Sequence, residues 1–153
     1  MMDVRERAVS YLNVKPRTRQ QVMVYLRNKG FQEEDILEAV RELEEYHYID
    51  DLSYSRMYFQ YGFEKGRGVV RIKRELSEKG VDSHVIEAAY DELEDVPDQF
   101  ETASEIAAGM TAGVDWEQMG YEDVRRLQAK IGRRLMTRGF SSDIVYKVIN
   151  RLK

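Results

Sequence analysis

The sequence predicts an all-α protein, a tandem array of three three-helix units built on helix-turn-helix-like repeats. The first observation behind this is a motif written three times without a gap. It runs Val22-x3-Leu26-x2-Lys29-Gly30-Phe31-x4-Ile36-x3-Val40-x2-Leu43, then Ile72-x3-Leu76-x2-Lys79-Gly80-Val81-x4-Ile86-x3-Tyr90-x2-Leu93, then Ile131-x3-Leu135-x2-Arg138-Gly139-Phe140-x4-Val145-x3-Ile149-x2-Leu152. The copies are offset by 50 and 59 residues, a spacing that marks modular arrays. The second observation is that the apolar residues recur with helical spacing and no segment alternates convincingly as a strand. The third is composition: charged residues make up 34% of the chain and only two prolines occur, which suits exposed helices.

The motif accounts for its own turn. In each copy a helix ends at Lys or Arg, and Gly30, Gly80 or Gly139 follows in the left-handed conformation that closes a Schellman cap. The next residue, Phe31, Val81 or Phe140, is placed to pack back on Leu26, Leu76 or Leu135. It also precedes the next helix as a hydrophobic staple toward Ile36, Ile86 or Val145, with Gln32, Asp82 and Ser141 at the N-cap positions. A β-branched residue at any of the three glycines is expected to cost about a kcal/mol or more, because it resists positive φ.

Taken in order, the first unit (residues 1–50) opens with a helix over 3–13, whose Val4, Ala8, Tyr11 and Leu12 share a face ahead of Pro16. Thr18 begins a capping box with Gln21, and helices over 19–29 and 33–47 follow. The second unit (51–96) starts with a helix over 53–64, where Tyr54, Met57, Tyr58 and Tyr61 lie at i, i+3, i+4 and i+7. A loop at 65–68 leads to helices over 69–79 and 83–94, and Val96-Pro97-Asp98 breaks the chain. The third unit (97–153) has a helix over 98–109, a weakly patterned connector over 110–121 and helices over 122–138 and 142–152.

Composition excludes several classes. Cysteine is absent, which removes disulfides, thiol chemistry and the usual zinc ligand. No apolar run approaches the eighteen or so residues a membrane span needs, and no signal-peptide pattern opens the chain. A soluble cytoplasmic protein without membrane contact is expected, working as a monomeric array. The net charge of −4 conceals segregation: residues 80–123 hold thirteen Asp or Glu and no Lys or Arg, whereas 124–153 hold nine Lys or Arg against Asp143. Such halves suit a partner that itself alternates in sign, or complement each other within the fold.

Catalytic constellations are missing. His47 and His84 stand apart from any H-x-x-x-H or H-E-x-x-H spacing, and His47 in Tyr46-His47-Tyr48 reads as a packing or capping residue. Lys65-Gly66-Arg67-Gly68 lacks the remainder of any phosphate-loop pattern. No enzyme activity and no cofactor are predicted. A DNA-reading helix-turn-helix is disfavoured by charge, because the second helix of the first turn (33–45) carries seven acids and one base and that of the second (83–94) four acids and none. Only the third turn could serve, through Lys147, Arg151 and Lys153.

Two basic stretches remain as candidate partner-binding residues. Lys65, Arg67, Arg71, Lys73 and Arg74 straddle a glycine loop and a helix N-terminus, a combination suited to phosphate or carboxylate. Arg125, Arg126, Lys130, Arg133, Arg134 and Arg138 populate the long helix of the third unit, with Arg126, Lys130, Arg133 and Arg134 near one stripe. Both could equally be solvated faces. The aromatic residues Tyr54, Tyr58, Phe59, Tyr61 and Phe63 could stack on bases, although core packing is the simpler account.

The run Tyr48-Ile49-Asp50-Asp51-Leu52-Ser53-Tyr54, then Lys65-Gly66-Arg67-Gly68-x3-Ile72-x3-Leu76-x2-Lys79-Gly80-Val81, and finally Arg138-Gly139-Phe140-Ser141-x2-Ile144, resembles the RecX family across residues 5–152. The resemblance implies a regulator of the RecA recombinase built from tandem three-helix units. Such a protein binds the RecA–DNA filament, usually in its groove, and typically limits filament growth, ATP hydrolysis, strand exchange and co-protease activity. DNA contact would come through the filament. Many relatives are basic overall, whereas this chain is acidic through 80–123, so protein contacts should carry more of its affinity. The alternative is an autonomous nucleic-acid-binding helical protein using 65–74 and 125–138, and a third reading is a helical scaffold for another partner.

Overall fold

The structure is a computed structural model and describes residues 2–152. Among the described residues there are nine α-helices and no strand. They are α1 (Val4–Val14), α2 (Arg19–Asn28), α3 (Glu33–Glu45), α4 (Asp51–Glu64), α5 (Val69–Glu78), α6 (Ser83–Asp91), α7 (Gln99–Thr111), α8 (Tyr121–Arg138) and α9 (Ser142–Asn150). Helix α4 begins two residues before its expected start. Asp50 caps it, with its carboxylate accepting the Ser53 N–H at 3.1 Å and the Ser53 hydroxyl at 3.0 Å. Helices α6 and α9 end earlier than the apolar pattern extends, and Leu152 packs against its core from beyond the last turn of α9.

The three repeat turns close alike. Gly30, Gly80 and Gly139 have φ of 90°, 90° and 103°. The next N–H donates to the carbonyl of Leu26, Leu76 or Leu135 at 3.3, 3.1 and 3.1 Å, the long bond of a Schellman cap. The Thr18–Gln21 capping box forms in full. At the following helix starts only Ser141 caps with its side chain, accepting from the Ile144 N–H. Gln32 and Asp82 occupy N-cap positions without such a bond. His47 supplies a fourth turn of this kind: its φ is 60°, its N–H donates to the Glu44 carbonyl, and the Tyr48 N–H donates to the Leu43 carbonyl. A side-chain-bearing residue therefore ends α3 where glycine ends the others.

The chain forms two compact units, residues 1–58 with 75–93 and residues 59–74 with 94–153, so α4 and α5 each run from one into the other. In the first, Ala8, Val22, Met23, Leu26, Ile36, Val40, Leu43 and Ile49 form one buried cluster. In the second, Ala103, Ala107, Ile131, Leu135, Phe140, Val145 and Val148 form the other. The aromatic stripe of α4 does not form its buried face. Ser55, Phe59 and Gly62 are buried instead, while Met57 and Tyr61 are 52% and 46% exposed. Gly62 is needed there because a Cβ would come within 2.6 Å of the Ile72 side chain.

One helix junction recurs in each unit and explains why the middle helices are shared. In the first, the Thr18 hydroxyl at the start of α2 donates to the Lys79 carbonyl at the end of α5 (2.8 Å), and the Arg19 N–H donates to the Asp51 carboxylate (2.9 Å). In the second, the Gly68 N–H at the start of α5 donates to the Arg138 carbonyl at the end of α8 (2.7 Å), and the Val69 N–H donates to the Gln99 side-chain carbonyl (2.9 Å). Thr18 and Gly68 are equivalent repeat positions, as are Lys79 and Arg138, and Asp51 and Gln99 each open the first helix of the following triplet. Donors at one helix start thus meet a carbonyl at the next repeat's helix end and the side chain that opens the following triplet.

Candidate interaction surface

Helix α8 carries the second basic stretch because its apolar residues leave one side free. Val124, Ile131 and Leu135 are buried, while Arg125, Arg126, Lys130, Arg133 and Arg134 are exposed. Glu122 and Asp123 complement its positive N-terminal end and Arg138 its negative C-terminal end. The cations do not act as one stripe. Arg126 lies 3.9 Å from Glu122 and 3.4 Å from Asp123 on its own helix. Arg125 donates to the Tyr121 hydroxyl at 3.0 Å. Arg125 and Arg133 belong to an open groove of about 680 Å³ between α8 and α9, which Arg126, Lys130 and Arg134 do not line.

The first stretch is built into the α5–α8 junction. The Arg138 guanidinium donates to the Lys65 carbonyl at 3.3 Å, and Lys65 and Arg67 both stand over the Tyr61 ring, at 5.6 and 5.3 Å from its centre. Arg71 is half-buried, with its backbone against Gly139. Lys65, Arg67, Arg71 and Arg138 are therefore brought together. Lys73 is half-buried and Arg74 exposed farther along α5. The expectation that the N-terminus of α5 could cradle an anion is corrected, because its amides are already taken: the Gly68, Val69 and Val70 N–H groups donate to Arg138, Gln99 and Gly139. Anion contact in this stretch is left to side chains alone.

Of the residues proposed for a third DNA-reading turn, Lys147 and Arg151 are exposed, Arg151 stands over the Phe100 ring at 5.1 Å, and Lys153 lies outside the described residues. Two features escaped the sequence reading. The α8–α9 groove depends on Ala129 and Gly132, small residues that a search for charge passes over. Tyr11 and Tyr25 stack face to face at 3.8 Å, with Arg17 4.1 Å from the Tyr11 ring centre. Among the described residues no group of three or more His, Asp or Glu could hold a metal ion, and no helix is long and apolar enough to cross a membrane.

With this geometry in view, the comparisons with known proteins are specific. Residues 5–43 match the domain family described as RecX, first three-helix domain, and residues 50–89 match RecX, second three-helix domain. A Regulatory protein RecX from Vibrio vulnificus is 32% identical over 141 residues, spanning 92% of this chain and 87% of that protein. The chain belongs to the RecX family. A crystal structure of RecX from Lactobacillus salivarius superposes with a TM-score of 0.80 at 28% identity, covering 97% of this chain and 94% of that one. The Regulatory protein RecX of Lactobacillus johnsonii is 30% identical over 150 residues, 95% of this chain. This chain spans about half the length of that relative, 52%. The two domain matches cover the first two helix triplets, the likeness to the relatives extends over more than nine-tenths of the chain, and both agree with the all-helical architecture.

Proposed function

We propose that this protein binds the RecA–DNA filament and inhibits the recombinase's ATP hydrolysis, strand exchange and co-protease activity, by occupying the filament groove or blocking filament extension. Family membership along nearly the whole chain, rather than at one motif, is the observation that carries the reading. The physical features agree with it. An array of helical triplets offers successive contact points to a periodic partner, so modest individual contacts combine into tight binding. The acidic helices α3 and α6 would be repelled by phosphate, which favours protein contact for that part of the chain. The exposed cations of α8 supply a face for acidic recombinase surface or for DNA phosphate within the filament. The protein acts as a binding regulator, without a reaction or a cofactor of its own.

A second reading has a specific observation behind it. Lys65 and Arg67 gather over the partly exposed Tyr61, a small basic and aromatic platform of the kind that binds single strands. Co-sedimentation with RecA assembled on single-stranded DNA, beside the same oligonucleotide alone, separates the two. The filament reading requires retention on the filament and little on free DNA. An autonomous binder would be retained on both, with log K falling by about 0.7 per neutralised phosphate for each unit of log salt.

A further inference from the structure

The groove between α8 and α9 has a chemistry different from the basic face around it. Its lining is mainly apolar and small-featured, with Ala129, Gly132 and Met136 from α8 and Val145 and Ile149 from α9, and the polar Gln128 and Thr137 stand beside them. Glycine at 132 creates the concavity. A Cβ there would stand 3.3 Å from the tip of Ile149 and 3.9 Å from Val145, so the helices approach closely and leave an open trough above. Arg125 and Arg133 stand at the groove, and no acidic residue lines it.

We infer that this groove is a docking site for an acidic, leucine-bearing protein segment, whose apolar side chains would enter over Gly132 while its carboxylates meet Arg125 and Arg133. The inference rests on the filament-regulator reading and names the chemistry of one contact within it. Apolar anchors seated in a trough, with charges pairing at its edge, are the recognition mode of a helix in a groove. Nucleic acid fits less well. No aromatic side chain lines the trough for a base to stack on, and phosphate over this floor would lose hydration against Ala, Met, Val and Ile side chains. A second copy is also a poorer occupant. The exposed acidic face of α3 offers Leu37 as its apolar contribution at only 36% exposure, leaving most of the floor unfilled.

The test uses the full chain and a fluorescein-labelled helical peptide with leucines at i and i+4 on a glutamate-rich face. A version with glutamine for glutamate and a labelled oligothymidylate serve as the other probes. Wild type should bind the acidic peptide. Ala129→Trp, which fills the trough from an exposed position, and Arg133→Glu, which reverses its charge, should each weaken binding by about ten-fold or more, a typical consequence of losing one anchor or one charge pair. Equal binding of the glutamine version, unaltered binding by Ala129→Trp, or displacement of the peptide by oligothymidylate would overturn the inference. So would self-association of wild type abolished by Ala129→Trp, which would assign the groove to a second copy. Recombinase inhibition measured on the same samples keeps the two readings apart. Inhibition without peptide binding refutes the groove alone, and peptide binding without inhibition refutes the filament reading alone.

Discussion

Three glycines that look interchangeable in the motif should respond very differently to Gly→Ala. All have φ near +90° to +103°, so each substitution forces alanine into the left-handed region at about 1–2 kcal/mol. At Gly30 that is the whole effect, since nothing lies within 4 Å of the added Cβ. At Gly139 the same atom would sit 2.2 Å from the Arg71 Cβ and 2.7 Å from the Arg71 backbone nitrogen, and neither can swing away. The α5–α8 junction must open, loosening the bonds from Gly68 to Arg138 and from Val70 to Gly139. Leaving the buried Gly68 donor unsatisfied adds about 1–3 kcal/mol, so the expected total is about 2–5 kcal/mol. Gly80, whose Cβ would meet the Gln20 side chain at 2.3 Å, should fall between. Urea unfolding gives the ranking, and hydrogen exchange at the Gly68 and Val70 amides shows whether the junction opened. Equal losses at all three positions, or a Gly139 variant with those amides still protected, would refute the junction as the source of the difference.

His47→Gly should stabilise the protein by about 1 kcal/mol, because glycine relieves the positive φ at the end of α3 and the exposed imidazole contributes little packing; thermal unfolding checks this. Burial raises the Asp51 carboxyl pKa, although the Arg19 N–H it accepts pulls the other way. With a raised folded pKa, protonation favours the fold fully below the unfolded value of about 3.9, and that contribution disappears as pH rises through the folded value. Asp51→Asn, which keeps the acceptor as Gln99 does at the equivalent place, should therefore be relatively more stable at about pH 7 than at about pH 4, measured against wild type by urea midpoints. Gly68→Ala should destabilise as severely as Gly139→Ala, since its Cβ would fall 2.3 Å from the Gly139 carbonyl oxygen; the same unfolding series reads it.

Local architecture was legible because it is written locally. Leu26, Gly30, Phe31 and Ile36 sit within eleven residues, and each of the three turns closes as its spacing requires. The face buried by α4 was not, because a helix rich in tyrosine has no clear polar side. Gly62 is inside because Ile72 packs against it, a contact no local pattern announces, and Ser55 is buried too. The candidate surface was half legible. The α8 cations are exposed except for the half-buried Arg138, but the division between Arg125 with Arg133 and Arg126 with Lys130 depends on where α9 lies. The 65–74 stretch looked like an anion site because its glycines and helix start are local facts, whereas the acceptors that occupy those amides come from Gln99, Arg138 and Gly139, far along the chain. Gln99 and Asp51 filling the same place shows that the repeat extends beyond its hydrophobic motif to its junction chemistry.

The central claim is tested most directly by the rate of RecA-catalysed ATP hydrolysis on single-stranded DNA, titrated with this protein at two salt concentrations. A regulator that blocks filament extension should reduce the rate well below one protein per recombinase, while groove occupation demands more protein but gives the same loss at saturation. An unchanged rate at stoichiometric excess, at both salt concentrations, would contradict the account.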